Sequence, residues 1–131
     1  MIASGDLNFS FSGLKTAALM LIGREATDAQ SKADIAAAFQ DAIVEVLVAK
    51  SADAVSRTGL DQLVVAGGVG ANNRLRVTLG QRAAAEGFGV FYPPLDLCTD
   101  NGAMIAYAVA QRHEAVSCGT YSISGRRRWD L

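Results

Sequence analysis

The sequence predicts an α/β fold with parallel strands. Short runs of β-branched and aromatic residues alternate along the chain with longer segments of helical composition. Glycine-rich or polar loops follow the later strands and precede helices, as in "LVVAGGVGANNRLR" (63–76). Because strands that are separated by helices usually pair in parallel, this order indicates a layered α/β domain.

The first predicted elements are a strand and a helix. In "NFSFS", Phe9 and Phe11 alternate with serines, which is typical of a short half-buried strand. Residues 14–22 have helical composition, and the polar residues 23–29 predict a loop.

The longest predicted helix follows this loop. Ser31 and Asp34 resemble a capping box at its start, and Gly59 fits the left-handed position that ends a helix. Its apolar residues recur at helical spacing and predict one buried face: Ile35, Phe39, Ala42, Ile43, Val46 and Leu47.

Two strand–helix units complete the order. Residues 62–66 predict a strand, and a helix runs from Asn72 or Asn73 to about Glu86, where Gly87 ends it.

The third strand lies within 88–94 and ends at Pro93 and Pro94, since proline cannot donate to a ladder. Thr99 is the predicted N-cap of a last helix that reaches His113. Because sheets usually hold roughly four to six strands, three indicate part of a larger domain.

Composition excludes several classes of protein. The 131 residues are half hydrophobic and 19% charged, which favours a folded core over disorder. A net charge of −1 gives no overall attraction to nucleic acid, and the arginines at 126–128 are either solvated or an RNA contact. No membrane span or signal peptide is predicted, so the expected location is cytoplasmic. Cys98, Cys118 and one histidine do not supply a zinc site.

The glycine-rich loop is a candidate binding site. Gly67, Gly68 and Gly70 would let backbone amides approach a ligand, and the following helix start favours an anion. Asn72 and Asn73 could cap the helix or hydrogen-bond a ribose or base. The pattern matches neither the Rossmann fingerprint nor a Walker A loop. From the residues alone, a nucleotide contact and a tight strand-to-helix turn both remain open.

Asp100, in "LCTDNGAMIAYA", is a candidate metal ligand. A carboxylate in the first turn of a helix stabilises the helix dipole, which is the simplest explanation. Carboxylate oxygens also bind hard or borderline cations, so a metal or a metal–phosphate contact is the functional alternative.

Three segments in order, "FSFSGLKTA", "VVAGGVGANNRLR" and "YPPLDLCTDNGAMIAYA", resemble the carboxyl-terminal part of the tRNA threonylcarbamoyladenosine transferase family, TsaD. The resemblance extends from about Ser4 to Asp130. It implies the actin- and hexokinase-like ATPase fold, with two lobes and a nucleotide between them. Residues 1–131 would be a single partial domain, the carboxyl-terminal lobe without its amino-terminal lobe.

The resemblance also implies an activity. Family members transfer a threonylcarbamoyl group from threonylcarbamoyl-AMP to the adenosine next to the anticodon of tRNA. They bind ATP, and they hold iron or zinc through two histidines of an HxxxH motif and one aspartate. By this resemblance Asp100 is the metal ligand, and Asn72, Gly67 and Gly68 contact the nucleotide; no catalytic residue is assigned. The implied partners are tRNA and proteins of the TsaB, TsaC and TsaE types.

The chain departs from the family pattern because it has one histidine and no HxxxH motif. It is therefore expected to be inactive alone, and its uncovered apolar face predicts self-association. Two alternatives are the older family label, O-sialoglycoprotein metalloendopeptidase, and a non-catalytic scaffold like the partner TsaB. A non-catalytic scaffold needs no metal ligand, so the aspartate of the intact "TDNGAMIA" argues against it. A metalloprotease needs a zinc held by histidines and a nearby base that activates water, and this sequence supplies neither.

Overall fold

The computed structural model describes residues 4–111. It divides into two units, the first ending at Asp100 and the second beginning at Asn101. The first unit contains α1 (Ser12–Glu25), α2 (Ala29–Thr58), β1 (Gln62–Val64), α3 (Asn73–Glu86) and β2 (Gly89–Phe91). The described part of the second unit contains α4 (Gly102–Gln111).

The two strands form a parallel pair, which confirms the predicted α/β class. Leu63 of β1 lies opposite Val90 of β2. The ladder continues past both strand ends: the Gly89 amide donates to the Asp61 carbonyl at 2.8 Å, and the Val65 amide donates to the Phe91 carbonyl at 2.9 Å. The loops that follow β1 and β2 therefore leave the sheet at the same edge.

The core lies where α2 and α3 pack against this sheet. Each helix contributes residues four apart, which keeps them on one face. The buried side chains are Val44, Val48 and Ala52 from α2, Leu75, Leu79 and Ala83 from α3, and Phe88. Burial of each larger aliphatic side chain contributes roughly 1.5–3 kcal/mol, so this small cluster holds α3 and its amino terminus in place.

The buried face of α2 differs from the predicted one. Of the predicted positions only Val46 is buried, and the other five are half-buried. The buried positions lie in the second half of the helix, because that half packs on α3 and β1, whereas the first half packs on α1. Helical spacing gave the correct period but could not show which neighbours each half would meet.

The strand predicted around Phe9 and Phe11 is wrong. Residues 8–11 form no regular structure, and α1 begins directly after them at Ser12. The two phenyl rings instead stack on each other, with centroids 6.4 Å apart. Within residues 4–111 no strand pairs with this segment, and alternation alone does not form a strand without a pairing partner.

The start of α2 also differs from the prediction. Asp28, not Ser31, is the N-cap: the Ser31 amide donates to the Asp28 carboxylate at 2.7 Å, and the Asp28 amide donates to the Ser31 hydroxyl at 3.1 Å. The hydrogen bond from the Ser31 amide lowers the pKa of Asp28. The predicted helix ends are confirmed, because Gly59 and Gly87 both have the left-handed conformation with φ near 67° and 80°.

A buried lysine joins the first described residues to α2. Lys50 is 3% exposed, and its ammonium donates to the Asp6 carboxylate at 3.0 Å and to the Asp6 carbonyl at 2.7 Å. Burying a charge is costly unless it is paired and hydrogen-bonded, and these contacts meet that need. The same hydrogen bond lowers the pKa of Asp6.

Several sequence predictions fall outside the described residues. These concern His113 as the end of the last helix, Cys118, and the arginines at 126–128. Among the described helices, none has the length and apolar character needed to span a membrane.

Candidate nucleotide-binding loops

Two loops follow the parallel strands and approach each other at one edge of the sheet. We call them the glycine loop (residues 67–71), which follows β1, and the proline segment (residues 92–100), which follows β2. Ligands in open α/β sheets bind outside the carboxyl ends of the strands, which is where both loops lie. Three of the four predicted site residues lie at the glycine loop or directly after it, and Asp100 ends the proline segment.

The three loop glycines have different roles. Gly67 has φ 85° and ψ 175°, a backbone region that essentially only glycine adopts. Gly70 is buried, and a Cβ there would lie 3.4 Å from the Val65 carbonyl oxygen. Gly68 is exposed, and a Cβ there would meet no atom within 4 Å. Conformation explains Gly67, and Gly70 packs against Val65, but neither conformation nor packing explains Gly68.

The backbone after Gly67 presents free donors. Gly68–Ala71 forms a short 3-10 helix, in which the Gly70 amide donates to the Gly67 carbonyl at 2.9 Å. The amides of Gly68 and Val69 make no hydrogen bond with residues 4–111. Free amides at a glycine turn just before a helix are suited to an anion or a polar ligand edge.

Asn72 is the N-cap of α3, as predicted. Its side-chain oxygen accepts a hydrogen bond from the Leu75 amide at 3.0 Å. Its side-chain nitrogen donates to the exposed Gln40 at 3.3 Å, a long and solvent-accessible contact. The oxygen is thus fixed by the cap, while the nitrogen is held weakly enough for a ligand acceptor to replace Gln40.

Arg76 connects the two loops, and sequence reasoning missed it. Its Nε donates to the Gly70 carbonyl at 2.6 Å, and its terminal nitrogen donates to the Pro93 carbonyl at 3.1 Å. Its guanidinium also lies over the Tyr92 ring, 4.4 Å from the ring centre. The dipole disfavours a cation near the start of a helix, but this signal applies equally to Arg74, so the sequence could not single out Arg76.

The proline segment is half-buried at Tyr92 and Pro93 and mostly exposed after them, with Cys98 as its one buried residue. Cys98 is 2% exposed, and its thiol donates to the Pro94 carbonyl at 3.4 Å. The Tyr92 hydroxyl is buried without a hydrogen-bond partner among the described residues, and burial raises the pKa of this group. Asp100 is exposed, and its carboxylate forms no ion pair or hydrogen bond with residues 4–111.

The residue that caps α4 is Asn101, so the predicted Thr99 cap is wrong. The Met104 amide donates to the Asn101 side-chain oxygen at 3.0 Å. Asn101 directly precedes the first helical residue, Gly102, which is the position from which a side chain reaches the free amides of the first turn. Asp100 is therefore not needed as the side-chain cap.

The described residues do not form a complete metal site. Residues 4–111 contain no group of three or more histidine, cysteine, aspartate or glutamate side chains placed to hold a metal ion. Asp100 could supply one carboxylate, and no hydrogen bond joins it to Asn72. A metal bound at Asp100 would need its other ligands from elsewhere.

Comparison with known proteins identifies the family. A family model described as "tRNA N6-adenosine threonylcarbamoyltransferase", TsaD, matches residues 1–107. Proteins named tRNA N6-adenosine threonylcarbamoyltransferase are 53% identical in Methylobacillus flagellatus and 54% identical in Nitrosospira multiformis. Each match covers 100% of this chain but only 39% of the relative.

A third relative of the same name, from Chromobacterium violaceum, is 54% identical over 137 residues. The chain again covers only 40% of its length. The chain thus spans about two fifths of these curated relatives. The family match over more than four fifths of the chain and these identities show that the chain belongs to the TsaD family.

Proposed function

We propose that this chain forms the carboxyl-terminal nucleotide-binding part of a tRNA N6-adenosine threonylcarbamoyltransferase with the actin- and hexokinase-like ATPase fold. The main support is Gly68, which is exposed and has open space around it although neither conformation nor packing within residues 4–111 requires a glycine there. A ligand that approaches the backbone closely would explain the glycine. The parallel strands place this loop at the edge where such folds bind ligands.

The loop offers several groups to a nucleotide. The free amides of Gly68 and Val69 can donate to phosphate or to the polar edge of the ligand. The amino terminus of α3 adds the partial positive charge of its dipole. The side-chain nitrogen of Asn72 lies at the same helix start and can donate to a ribose or base oxygen or nitrogen.

In the proposed reaction, N6 of the tRNA adenosine attacks the carbamoyl carbon of threonylcarbamoyl-AMP. A carbon–nitrogen bond forms, the bond from that carbon to the phosphate oxygen breaks, AMP leaves, and N6 loses a proton. The proposed contribution of this chain is to hold the AMP portion in a fixed position. Such positioning alone can lower a barrier by several kcal/mol.

We further propose that Asp100 is one ligand of the iron or zinc that the family resemblance implies. Its exposed carboxylate is open to a ligand, and Asn101 supplies the side-chain cap of α4. The two histidines would come from the part of the enzyme outside the matched two fifths. In the cell, tRNA and proteins of the TsaB, TsaC and TsaE types would be its partners.

Alanine substitutions at Gly68 and Gly67 give a direct test. In the full-length enzyme, Gly68→Ala should leave the free energy of unfolding within about 0.5 kcal/mol, because the added methyl meets no atom within 4 Å. It should weaken nucleotide binding by about 1–3 kcal/mol, the usual cost of an extra methyl at a close contact. Calorimetric titration with ATP and thermal unfolding measure both quantities.

Gly67→Ala is the contrasting variant. It should lower stability by roughly 1–3 kcal/mol, because alanine does not adopt the Gly67 conformation without strain. If Gly68→Ala binds ATP as tightly as the wild type, the glycine loop is only a structural turn and the proposed nucleotide site is wrong.

A further inference from the structure

We propose that Arg76 is a positioning residue, which holds the glycine loop and the proline segment at the separation that nucleotide binding needs. This inference rests on the proposed function, since it concerns the same site. The hydrogen bonds between the two strands end at Val65 and Phe91, so strand pairing does not join the loops that follow. Beyond this point the side chain of Arg76 joins the two loops, through the Gly70 and Pro93 carbonyls.

The contacts of Arg76 explain why this connection is rigid. Nε binds the Gly70 carbonyl on one side, while one terminal nitrogen binds the Pro93 carbonyl and lies 3.4 Å from the Cys98 sulfur on the other. The guanidinium is planar, and its donors have fixed relative directions. Binding acceptors on both loops with one such group fixes the distance and the angle between them.

The groups around the positive charge of Arg76 are also unusual. Among residues 4–111 no carboxylate forms an ion pair with it, whereas the neighbouring Arg74 pairs with Asp41 at 2.9 Å. Its partners are carbonyl oxygens, a thiol and the face of Tyr92. An arginine that only stabilised the surface would pair with an acid, so these partners indicate a role in holding the backbone of the two loops.

Asp100 makes the position of the proline segment important for function. Cys98, the last residue that Arg76 contacts, precedes Asp100 by two positions. Loss of Arg76 should therefore change the placement of Asp100 as well as that of Gly70. A displacement of about 1 Å at a reacting site can cost roughly 100-fold in rate, so a small shift would be measurable.

Cys98 provides a readout that does not depend on activity. Its thiol is 2% exposed, and a terminal nitrogen of Arg76 lies 3.4 Å from its sulfur. In the full-length enzyme, Arg76→Met should speed alkylation of Cys98 by iodoacetamide at least about tenfold, as followed by mass spectrometry of the peptide that contains it. Arg76→Lys keeps the positive charge but lacks the planar set of donors of the guanidinium, so its alkylation rate should be intermediate.

Nucleotide affinity is the second readout. Arg76→Met should raise the dissociation constant for ATP at least about tenfold, and Arg76→Lys should restore part of the loss. Arg74→Met removes a cation from the same helix two residues earlier and should change neither quantity, because Arg74 is exposed and contacts Asp41 on α2. Leu79→Ala, in the core of the same helix, controls for lost stability.

The outcomes separate the possible explanations. If Leu79→Ala, at equal loss of thermal stability and well below its unfolding transition, matches Arg76→Met in both readouts, Arg76 acts only through stability and the proposal is wrong. It is also wrong if Arg76→Met binds ATP like the wild type. A wild-type enzyme that binds no nucleotide would overturn the proposed function itself, and with it the site that Arg76 is proposed to position.

Discussion

Asp100→Asn in the full-length enzyme should lose the bound metal and the transferase activity together while the fold stays intact. Asparagine keeps the size of the side chain, and Asn101 already caps α4, so no structural effect is expected. A carboxylate supplies charge and a strong donor oxygen that a neutral amide lacks. The expected loss of metal affinity is about 100-fold or more. Even the removal of a residue that hydrogen-bonds to a metal ligand usually lowers metal affinity roughly 10- to 100-fold.

Metal content by elemental analysis and the rate of tRNA modification should be measured on the same preparation, with circular dichroism as the fold control. Asp96→Asn is a matched control, since Asp96 is an exposed aspartate of the same proline segment. It should leave metal and rate unchanged. Near-normal metal content and rate in Asp100→Asn would show that Asp100 is not a ligand.

Substitutions of Asn72 should separate its two roles. Asn72→Ser keeps an oxygen that can accept from the Leu75 amide but removes the side-chain nitrogen. We expect it to retain most of the stability and to weaken nucleotide binding by about 1–3 kcal/mol, the usual loss for a buried polar contact left without its partner. Asn72→Ala should show the same loss of affinity plus about 1 kcal/mol of lost stability from the missing cap.

Isothermal titration with ATP and thermal unfolding measure these two effects on the same variants. Asn73→Ala is the control, because Asn73 is the exposed first residue of α3 and provides no cap. Unchanged ATP affinity in Asn72→Ser would assign Asn72 to capping alone.

Much of the fold could be predicted because single residues mark where its helices begin and end. Gly59 and Gly87 end helices through a left-handed conformation that other residues avoid, and Asn72 caps α3 through its own side chain. The parallel pairing of β1 and β2 followed from the helix between them. The helix ends and the cap depend on residues a few positions apart, and the pairing follows from the order of the elements, so the sequence displays all three directly.

The errors arose where distant partners decide the structure. Phe9 and Phe11 alternate like a strand, yet within residues 4–111 no strand pairs with them. Lys50 is buried because Asp6, far away in sequence, provides acceptors for its ammonium. Arg76 acquires its role only because β2 brings the proline segment beside the glycine loop, which no spacing rule reveals.

Hydrogen–deuterium exchange of the full-length enzyme, with and without ATP, tests the central claim most directly. The free amides of Gly68 and Val69 should exchange rapidly without nucleotide, because they donate to no residue among 4–111. ATP should slow their exchange and that of the backbone amides at positions 95–100, which follow the two prolines. Exchange that is unchanged by saturating ATP in both loops, with protection only elsewhere in the enzyme, would contradict the claim that these loops bind the nucleotide.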